Sequence, residues 1–380
     1  MIKISSHLDA GNIEVVAADD PADLRLRIRR DAGGEHAQWF YFQLHGGRDA
    51  ECRMTIENAG EVSYPEGFHD YHAVASSDGL YWFRVPTAFD GNELVISHRP
   101  HTDSIYYAYF APYSFERHQA LVADALEHES VRAEVPCMTP DGRPLTLLRI
   151  GSEGDSRTRI WVTARQHPGE SMAEWWVEGF LDRLLDPQDP VARALLEHAV
   201  IYLVPNMNPD GSVRGHLRVN AHGVNLNRAW RDPDEQTSPE VFFIRQRMHE
   251  TGVDIALDVH GDEALPYNFI AGAEGVPRWN DAMENELRDF RNLLARITPE
   301  FQTEFGYERD APGSADLRKC TDYVAETFGC LAMTLEMPFK DAANHPLPDV
   351  GWSPQRAIKL GAACVDAFWQ TIAGEPGAGR

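Results

Sequence analysis

The chain has 380 residues, of which 43% are hydrophobic, and it carries a formal net charge of −24 at pH 7. This length and apolar content are enough to bury a large core and to build two or three domains of about 150 residues each. The charge repels phosphate groups and anionic membrane surfaces, and no strongly basic segment offsets it, so we expect neither nucleic acid nor a membrane as a partner.

The cysteines and the apolar runs of the sequence indicate the cellular compartment of the protein. The 5 cysteines are scattered and form no C-x-x-C pair, which predicts neither a disulfide framework nor a thiolate zinc site. The sequence contains no uncharged apolar run of about 18 residues, and its first segment has no apolar signal-peptide core. We therefore expect a soluble, cytoplasmic protein.

Short β-branched and aromatic runs, separated by turn residues, occupy the first part of the chain, among them QWFYFQLHGG, YHAVASSDGLYWFRV and ELVISHRP. This spacing is typical of an antiparallel sandwich. Helical periodicity first appears in SFERHQALVADALEHE, where Leu121, Ala125 and Leu126 recur at helical spacing. The sequence predicts an all-β antiparallel sandwich domain over residues 1–118, connected by this helix to the rest of the chain.

Strands then alternate with helices. The strand-like runs are RIWVTA, AVIYLVP, VDIALDVH and CLAMTLE, and the helical run MAEWWVEGFLDRLL follows the first of them. Ser238-Pro239 and Ser353-Pro354 each predict a helix start with proline at the first helical position. The alternation predicts an α/β domain over residues 119–376, with helices on both faces of its sheet.

A histidine and a carboxylate lie just past the end of the strand-like run RIWVTA, in the segment HPGE. Ligands collect at the carboxyl ends of strands in open α/β sheets, and His167 and Glu170 share one turn there. A catalytic zinc ion usually takes three protein ligands and leaves one position for water. The best third candidate is His260, which ends VDIALDVH. A lone histidine after a strand is more often structural, so the prediction depends on all three residues lying at strand ends of one sheet.

Glu336 closes the apolar run CLAMTLE in the same way. Taken alone it could be a helix cap or a salt-bridge partner. Beside a zinc-bound water, a partly desolvated carboxylate is suited to act as a general base.

Two arginines supply candidate positive groups. Asn227-Arg228 offers an amide beside a guanidinium fork, a pair suited to bidentate capture of a carboxylate. Arg218 could stabilise an oxyanion. Either arginine, considered singly, could equally be a solvated surface charge.

These segments occur in the order found in zinc metallocarboxypeptidases: HPGE, NPDG at 208–211, LNRAW at 226–230, DVHG at 258–261 and TLEMPF at 334–339. TARQHPGES and YFAPYSFER more narrowly resemble the cytosolic carboxypeptidase subfamily, including its bacterial members. The resemblance covers nearly the whole chain. It implies a β-sandwich joined to an α/β carboxypeptidase domain with a mixed central sheet, and an enzyme that releases the last residue of a peptide.

The resemblance also implies a role for each candidate residue. One zinc ion per chain would be bound by His167, Glu170 and His260. Glu336 would be the general base and Arg218 the oxyanion arginine, and Asn227 with Arg228 would hold the substrate's terminal carboxylate.

The chain departs from the family at Asn225, where the family usually carries an aspartate that orients a zinc-binding histidine. An asparagine carbonyl can still accept the imidazole N–H, but without the negative charge that raises ligand basicity. We expect weaker zinc binding than is usual in the family.

For the substrate, the resemblance implies peptide or protein C-terminal tails, with an acidic last residue as the first expectation and Arg318 or Lys319 as pocket cations. The charge of −24 would slow the approach of polyglutamate tails at low salt. Tyr323 and Tyr307 are the candidates for the family's substrate-covering tyrosine.

Two other functions remain open. A zinc deacylase acting on N-acyl amino acids could use the same ligands and clamp, although a β-sandwich that precedes the catalytic half disfavours it. A peptide-tail binding module without turnover is disfavoured because Glu336 and all three candidate ligands are retained.

Overall fold

A computed structural model describes residues 2–154 and 157–374 of the chain. Its first part contains two five-stranded sheets, with strand orders β1-β4-β10-β6-β7 and β2-β3-β5-β9-β8. The strands are β1 (Lys3–Ser5), β2 (Glu14–Ala17), β3 (Leu24–Arg27), β4 (Tyr41–His45), β5 (Cys52–Ile56), β6 (Val74–Ser76), β7 (Phe83–Arg84), β8 (Thr87–Phe89), β9 (Leu94–His98) and β10 (Ser104–Ala108).

The two sheets share one apolar core. Phe42 on β4 and Met54 on β5 belong to different sheets, and both are fully buried in the same cluster. A 2.9 Å hydrogen bond between His98 Nδ1 and the Tyr107 hydroxyl also joins the sheets. The predicted β-sandwich is confirmed, with one local exception: β3 and β5 run parallel. The exception arises because β4, which lies between them in sequence, belongs to the other sheet, so the chain returns to β5 in its former direction.

The second part is built on a seven-stranded mixed sheet of order β11-β12-β14-β13-β15-β17-β16. The four central strands are parallel, and the outer strands are antiparallel to their neighbours. The elements are α1 (Phe115–Leu126), β11 (Val131–Glu134), β12 (Leu147–Ile150), β13 (Thr158–Ala164), α2 (Met172–Leu184), α3 (Pro190–His198), β14 (Ala199–Val204), α4 (Pro209–Arg214), α5 (Pro239–Thr251), β15 (Ile255–Asp262), β16 (Phe269–Ala271), α6 (Asp281–Ile297), α7 (Cys320–Phe328), β17 (Leu331–Pro338) and α8 (Pro354–Ala373).

Helices cover both faces of this sheet, as predicted. On β13, Ile160 and Val162 join the core that includes α2 and α8, whereas Trp161 joins a second core with α5 and α7. Burial on both faces explains why the central strands are continuous apolar runs. Helices α2 and α8 approach closely through a glycine: a Cβ added at Gly179 would lie 1.9 Å from the Ile358 carbonyl oxygen.

Several predicted element boundaries agree with the structure. Helices α5 and α8 begin at the prolines of Ser238-Pro239 and Ser353-Pro354. In α1, Leu121 and Ala125 are buried but Leu126 is exposed. Helix α1 runs across the predicted domain boundary at residues 118/119, and the predicted end at residue 376 lies outside the described residues. No helix in the described part of the chain has the length and apolar character needed to span a bilayer.

Candidate active site

The turn after β13 is held by a buried arginine. Arg165 adopts a left-handed conformation with φ of 57°, uncommon for a residue with a side chain, and this ends the strand. Its Nε donates to the Pro168 carbonyl at 2.9 Å, and one terminal nitrogen lies 2.7 Å from Glu174 Oε2. Because the guanidinium fixes this turn from inside, His167 and Glu170 are presented together at the end of the sheet.

Two histidines and one glutamate converge at this edge. His167 Nδ1 lies 2.6 Å from Glu170 Oε1, His260 Nδ1 lies 2.8 Å from Glu170 Oε2, and the two Nδ1 atoms are 3.2 Å apart. All three residues are buried, and their ligand atoms lie within 4.8 Å of one another. Nitrogens bound to one tetrahedral zinc ion at about 2.0–2.1 Å stand roughly 3.3 Å apart, so the donor set fits a single zinc ion.

The outer nitrogens of both rings support this fit. His167 Nε2 donates to Asn225 Oδ1 at 3.2 Å, and His260 Nε2 donates to Asp258 Oδ2 at 2.8 Å. Both Nδ1 lone pairs therefore face the Glu170 carboxylate, an unfavourable contact unless a proton or a cation lies between them. Asn225 occupies the orienting position that the sequence predicts for it.

The charges in the cluster are strongly coupled. Burial opposes ionisation of Glu170, but the two imidazoles outweigh it and hold the pKa of Glu170 well below its usual range. Burial lowers the pKa of His167 to about 4, and the charge of Arg218 adds to this. For His260, Asp258 and Glu170 outweigh burial and raise the pKa. A bound cation would replace the shared protons of this cluster.

Asp258 is a site residue beyond those expected from the sequence. Its Oδ1 accepts the Thr163 hydroxyl at 2.7 Å, and its Oδ2 accepts Gln166 Nε2 at 2.5 Å besides the His260 N–H. Trp230 Nε1 in turn donates to Gln166 Oε1 at 2.8 Å. Strand alternation could have revealed Asp258, because it lies two residues before His260 and thus on the same face of β15.

Glu336 lies beside His260 on the neighbouring strand. The two residues are paired in the register of β15 and β17, and both strands continue for two residues beyond them. Glu336 Oε1 accepts the Tyr307 hydroxyl at 3.2 Å, whereas its buried Oε2 has no hydrogen-bond partner among the described residues. Burial raises the pKa of Glu336 well above its ordinary value, and the negative charge of Glu170 adds to the rise against the charge of His260.

An open cavity of ≈ 720 Å³ lies over the cluster, and Arg218, Asn227 and Arg228 line it together with the ligand candidates His167 and Glu170. The structure therefore brings the predicted clamp and the predicted oxyanion arginine to the same space as the candidate ligands. His260, the third candidate ligand, is buried.

Asn227 and Arg228 occupy one short 3-10 helix, Leu226–Arg228. Asn227 Oδ1 accepts the Cys320 N–H at 2.8 Å, which fixes the orientation of the amide. Its Nδ2 lies 3.4 Å from His260 Nε2, a nitrogen that already donates to Asp258, so the amide N–H groups are free for another acceptor. Arg228 Nε lies 3.9 Å from Asp316 Oδ2.

Two predicted substrate-binding residues are not brought to the cavity. Tyr323 forms a 2.9 Å hydrogen bond with His249 on α5, and Arg318 is an exposed side chain paired with Asp316 at 2.8 Å. Their neighbours in the prediction, Lys319 and Tyr307, line the cavity instead. Both residues precede α7, and of the two Lys319 faces the cavity while Arg318 is held at the surface by Asp316.

The β-sandwich also contributes to the cavity. Tyr64 and Glu66 line its wall, and the Arg218 guanidinium lies 5.4 Å from the centre of the Tyr64 ring. No local sequence pattern marks these two residues as part of a site.

Comparisons with known proteins agree with this geometry. Residues 4–110 match the family model described as cytosolic carboxypeptidase N-terminal domain, and residues 125–356 match the model described as zinc carboxypeptidase. A metallo-carboxypeptidase from Burkholderia cenocepacia is 47% identical, with a TM-score of 0.97 over 99% of this chain and 100% of that one.

Two further relatives extend the comparison. A metallo-carboxypeptidase from Pseudomonas aeruginosa, solved with (2-guanidinoethylmercapto)succinic acid, is 44% identical, with a TM-score of 0.95 over 98% of this chain and 99% of that one. Cytosolic carboxypeptidase 4 of Mus musculus is 26% identical over 70% of this chain, which spans only 28% of the mouse protein's length. From these matches and the His-Glu-His cluster, we conclude that the chain belongs to the zinc carboxypeptidase family.

Proposed function

We propose that the protein is a zinc-dependent carboxypeptidase that hydrolyses the last peptide bond of peptides or protein tails, with one zinc ion per chain. The observation that carries the proposal is the convergence of His167, Glu170 and His260 beside Glu336, under a cavity lined by arginines. We also propose, as the sequence predicts, that it acts in the cytoplasm.

Zinc held by the three ligands would supply Lewis-acid polarisation and lower the pKa of water in the site. Glu336 then accepts a proton from the water that attacks the scissile carbonyl carbon. When the C–N bond breaks, Glu336 returns that proton to the leaving amine, so the products are a shortened peptide and one free amino acid. The unpartnered Oε2 of Glu336 is available for this transfer.

Two charged groups accompany this step. The Arg218 guanidinium stabilises the negative charge that develops on the carbonyl oxygen. Arg228 and the free N–H groups of Asn227 bind the terminal carboxylate, which limits cleavage to the last bond. The dicarboxylic compound bound by the Pseudomonas relative supports a site that accepts carboxylates.

We propose an acidic C-terminal residue as the preferred substrate, with Lys319 as its counter-charge. Lys319 lines the cavity near the predicted clamp. Several acidic side chains line the same cavity, among them Glu66 and Glu263, and the chain carries a net charge of −24. A single acidic residue should therefore bind better than a long polyglutamate tail at low salt.

The test compares matched peptides with free and amidated C-termini, using protein loaded with measured zinc. Mass spectrometry should show loss of one residue from free C-termini only, with glutamate released faster than lysine. Equal cleavage of both peptides would reject carboxylate capture. Activity on N-acyl amino acids without activity on peptides would replace the proposal with a deacylase.

A further inference from the structure

One buried carboxylate of the β-sandwich contacts the backbone of the segment that carries Arg218. Asp31 is 3% exposed. Its Oδ1 accepts the Leu217 N–H at 2.7 Å, and its Oδ2 accepts the Arg218 and Val219 N–H groups at 2.7 and 3.1 Å. Three consecutive backbone donors thus converge on one side chain of the other domain. Because charge-assisted hydrogen bonds of this kind are stronger than neutral ones, the backbone on both sides of Arg218 is firmly held.

His216 provides a second connection to the same segment. Its Nδ1 donates to the Val219 carbonyl at 3.0 Å, and its Nε2 accepts the Ala32 N–H at 3.0 Å. Because the Ala32 N–H can only donate, this contact uses Nε2 as the acceptor and leaves Nδ1 as the donor, so the orientation of the ring is fixed. Ala32, the residue next to Asp31, therefore holds His216 and, through it, the bend at Leu217 and Arg218.

The Arg218 side chain is also restrained from the sandwich. Its guanidinium lies 5.4 Å from the centre of the Tyr64 ring, close enough for a cation–π contact. Tyr64 is held in turn by Gln38, whose side chain accepts the Tyr64 N–H and donates to the Tyr64 carbonyl, both at 2.9 Å. Backbone and side chain of Arg218 are thus positioned by residues outside the α/β domain.

We infer that Asp31 is a positioning residue for Arg218: it holds the backbone at Leu217–Val219 so that the guanidinium faces the oxygen of the scissile carbonyl. This inference rests on the proposed role of Arg218 in the carboxypeptidase reaction. It gives the β-sandwich a part in turnover, through contacts that an α/β domain alone does not contain.

The first experiment is the substitution Asp31→Asn in the full-length, zinc-loaded protein. The new amide group would direct its own N–H atoms at a backbone N–H, so the segment should shift and the guanidinium with it. Because a misplacement of about 1 Å can lower a rate roughly 100-fold, we expect kcat to fall about 10- to 100-fold. KM and zinc content should stay close to those of the parent protein.

A double-mutant cycle with Arg218→Ala separates positioning from general damage. If Asp31 acts through Arg218, adding Asp31→Asn to Arg218→Ala should cause no further fall in kcat. Three results would each overturn the inference. They are a fall in kcat of the double variant equal to the product of the two single falls, an unchanged kcat in Asp31→Asn, and a loss of zinc from Asp31→Asn. Zinc loss would mean that Asp31 supports the turn that carries His167 and Glu170. The Leu217 carbonyl also accepts the Gly169 N–H of that turn at 2.9 Å.

A matched control tests an interdomain contact elsewhere. Arg84 of the sandwich donates to the Pro348 carbonyl at 3.2 Å and lies 3.7 Å from Asp341 Oδ2. Arg84→Met should lower thermal stability without changing kcat, and a kcat loss equal to that of Asp31→Asn would overturn the inference.

If Asp31→Asn does not fold, Asp31→Glu in the same cycle decides the question, because the longer side chain keeps the charge but displaces the backbone that it holds. We expect kcat to fall about 10- to 100-fold in this variant, with no further fall when Arg218 is already alanine. An additive loss in this cycle would overturn the inference. Failure of the proposed function has a different signature: the parent protein would not cleave free C-termini, whereas failure of the inference leaves that cleavage intact.

Discussion

His260 and Glu336 lie opposite each other in the register of the parallel strands β15 and β17. Neighbouring strands are about 4.8 Å apart, and paired residues of a parallel ladder point to the same face. A candidate metal ligand and the candidate base are therefore held side by side by backbone hydrogen bonds. This arrangement leads to the first prediction.

Replacing Glu336 by glutamine should leave the metal site intact and stop turnover. The glutamine side chain keeps the size of the original but cannot accept the proton of the attacking water, so we expect kcat to fall about 10²- to 10⁴-fold. Zinc content is measured alongside initial rates. Loss of zinc together with activity would show instead that Glu336 is needed to build the site.

Restoring the family's aspartate at position 225 should tighten zinc binding. Asn225 Oδ1 accepts His167 Nε2–H at 3.2 Å, and a carboxylate there would make the opposite ring nitrogen more basic. We expect the zinc Kd of Asn225→Asp, measured by chelator competition, to fall about 10-fold. Asn225→Ala is the matched control, and its Kd should rise. A Kd that is the same in all three proteins would mean that this contact does not tune the metal.

Of the two tyrosine candidates, only Tyr307 should affect catalysis. Its hydroxyl oxygen lies 2.6 Å from Asp262 Oδ2 and 3.2 Å from Glu336 Oε1, so it can donate to either carboxylate, whereas Tyr323 contacts His249 away from the cavity. We expect Tyr307→Phe to lower kcat/KM about 10-fold, because one hydrogen bond to a charged group contributes about 1.5 kcal/mol or more. Tyr323→Phe is the control, and a larger effect there would reverse the assignment.

Preference for an acidic C-terminal residue should depend on Lys319 and not on its neighbour. Lys319 lines the cavity, whereas Arg318 is paired with Asp316 at the surface. We expect Lys319→Met to reduce the ratio of kcat/KM for glutamate over leucine peptides about 10-fold, the effect of losing one charge-assisted contact. Arg318→Met should leave this ratio unchanged. An unchanged ratio in Lys319→Met would require another residue to select the substrate.

Glu240 should make stability depend on pH. It is completely buried, Asn220 Nδ2 lies 3.3 Å from its carboxyl group, and burial raises the pKa of Glu240 from 4.5 to about 7. The folded state thus favours the protonated carboxyl, so this group's contribution to stability is complete below about pH 4.5 and is lost as the pH rises through about 7.

The side chain introduced by Glu240→Gln cannot ionise, so this variant should not lose stability as the pH rises. We expect the Tm of the variant to exceed that of the parent at pH 8 and to match it near pH 4.5. The difference in the free energy of unfolding should be about 1.4 kcal/mol per unit of pKa shift. Exposed Glu235→Gln is the control. A Tm difference that is the same at both pH values would contradict the prediction.

Much of the site could be predicted because its signals are local. His260 and Glu336 each end an apolar run, His167 and Glu170 lie just past the end of another, and the ends of parallel strands meet at one edge of a sheet. The start of α8 at Pro354 is likewise determined by neighbouring residues. These features depend on the two-residue period of side chains along a strand and on residues, such as proline, that begin or end an element.

Other features depend on contacts between distant parts of the chain. The parallel pairing of β3 with β5 requires the path of β4 through the second sheet, which no short segment specifies. Choosing Lys319 over Arg318 and Tyr307 over Tyr323 required the directions of side chains near the cavity. Packing sets these directions, and the local sequence pattern does not distinguish one residue from its neighbour.

The fold class, the family resemblance and the candidate ligands follow from the amino-acid order, because periodicity and strand-ending residues act over a few positions. The side chains that surround the cavity, and the hold of Asp31 on the backbone of Arg218, become apparent only in the folded chain. These hydrogen bonds join segments that become neighbours only when the sandwich packs against the α/β domain.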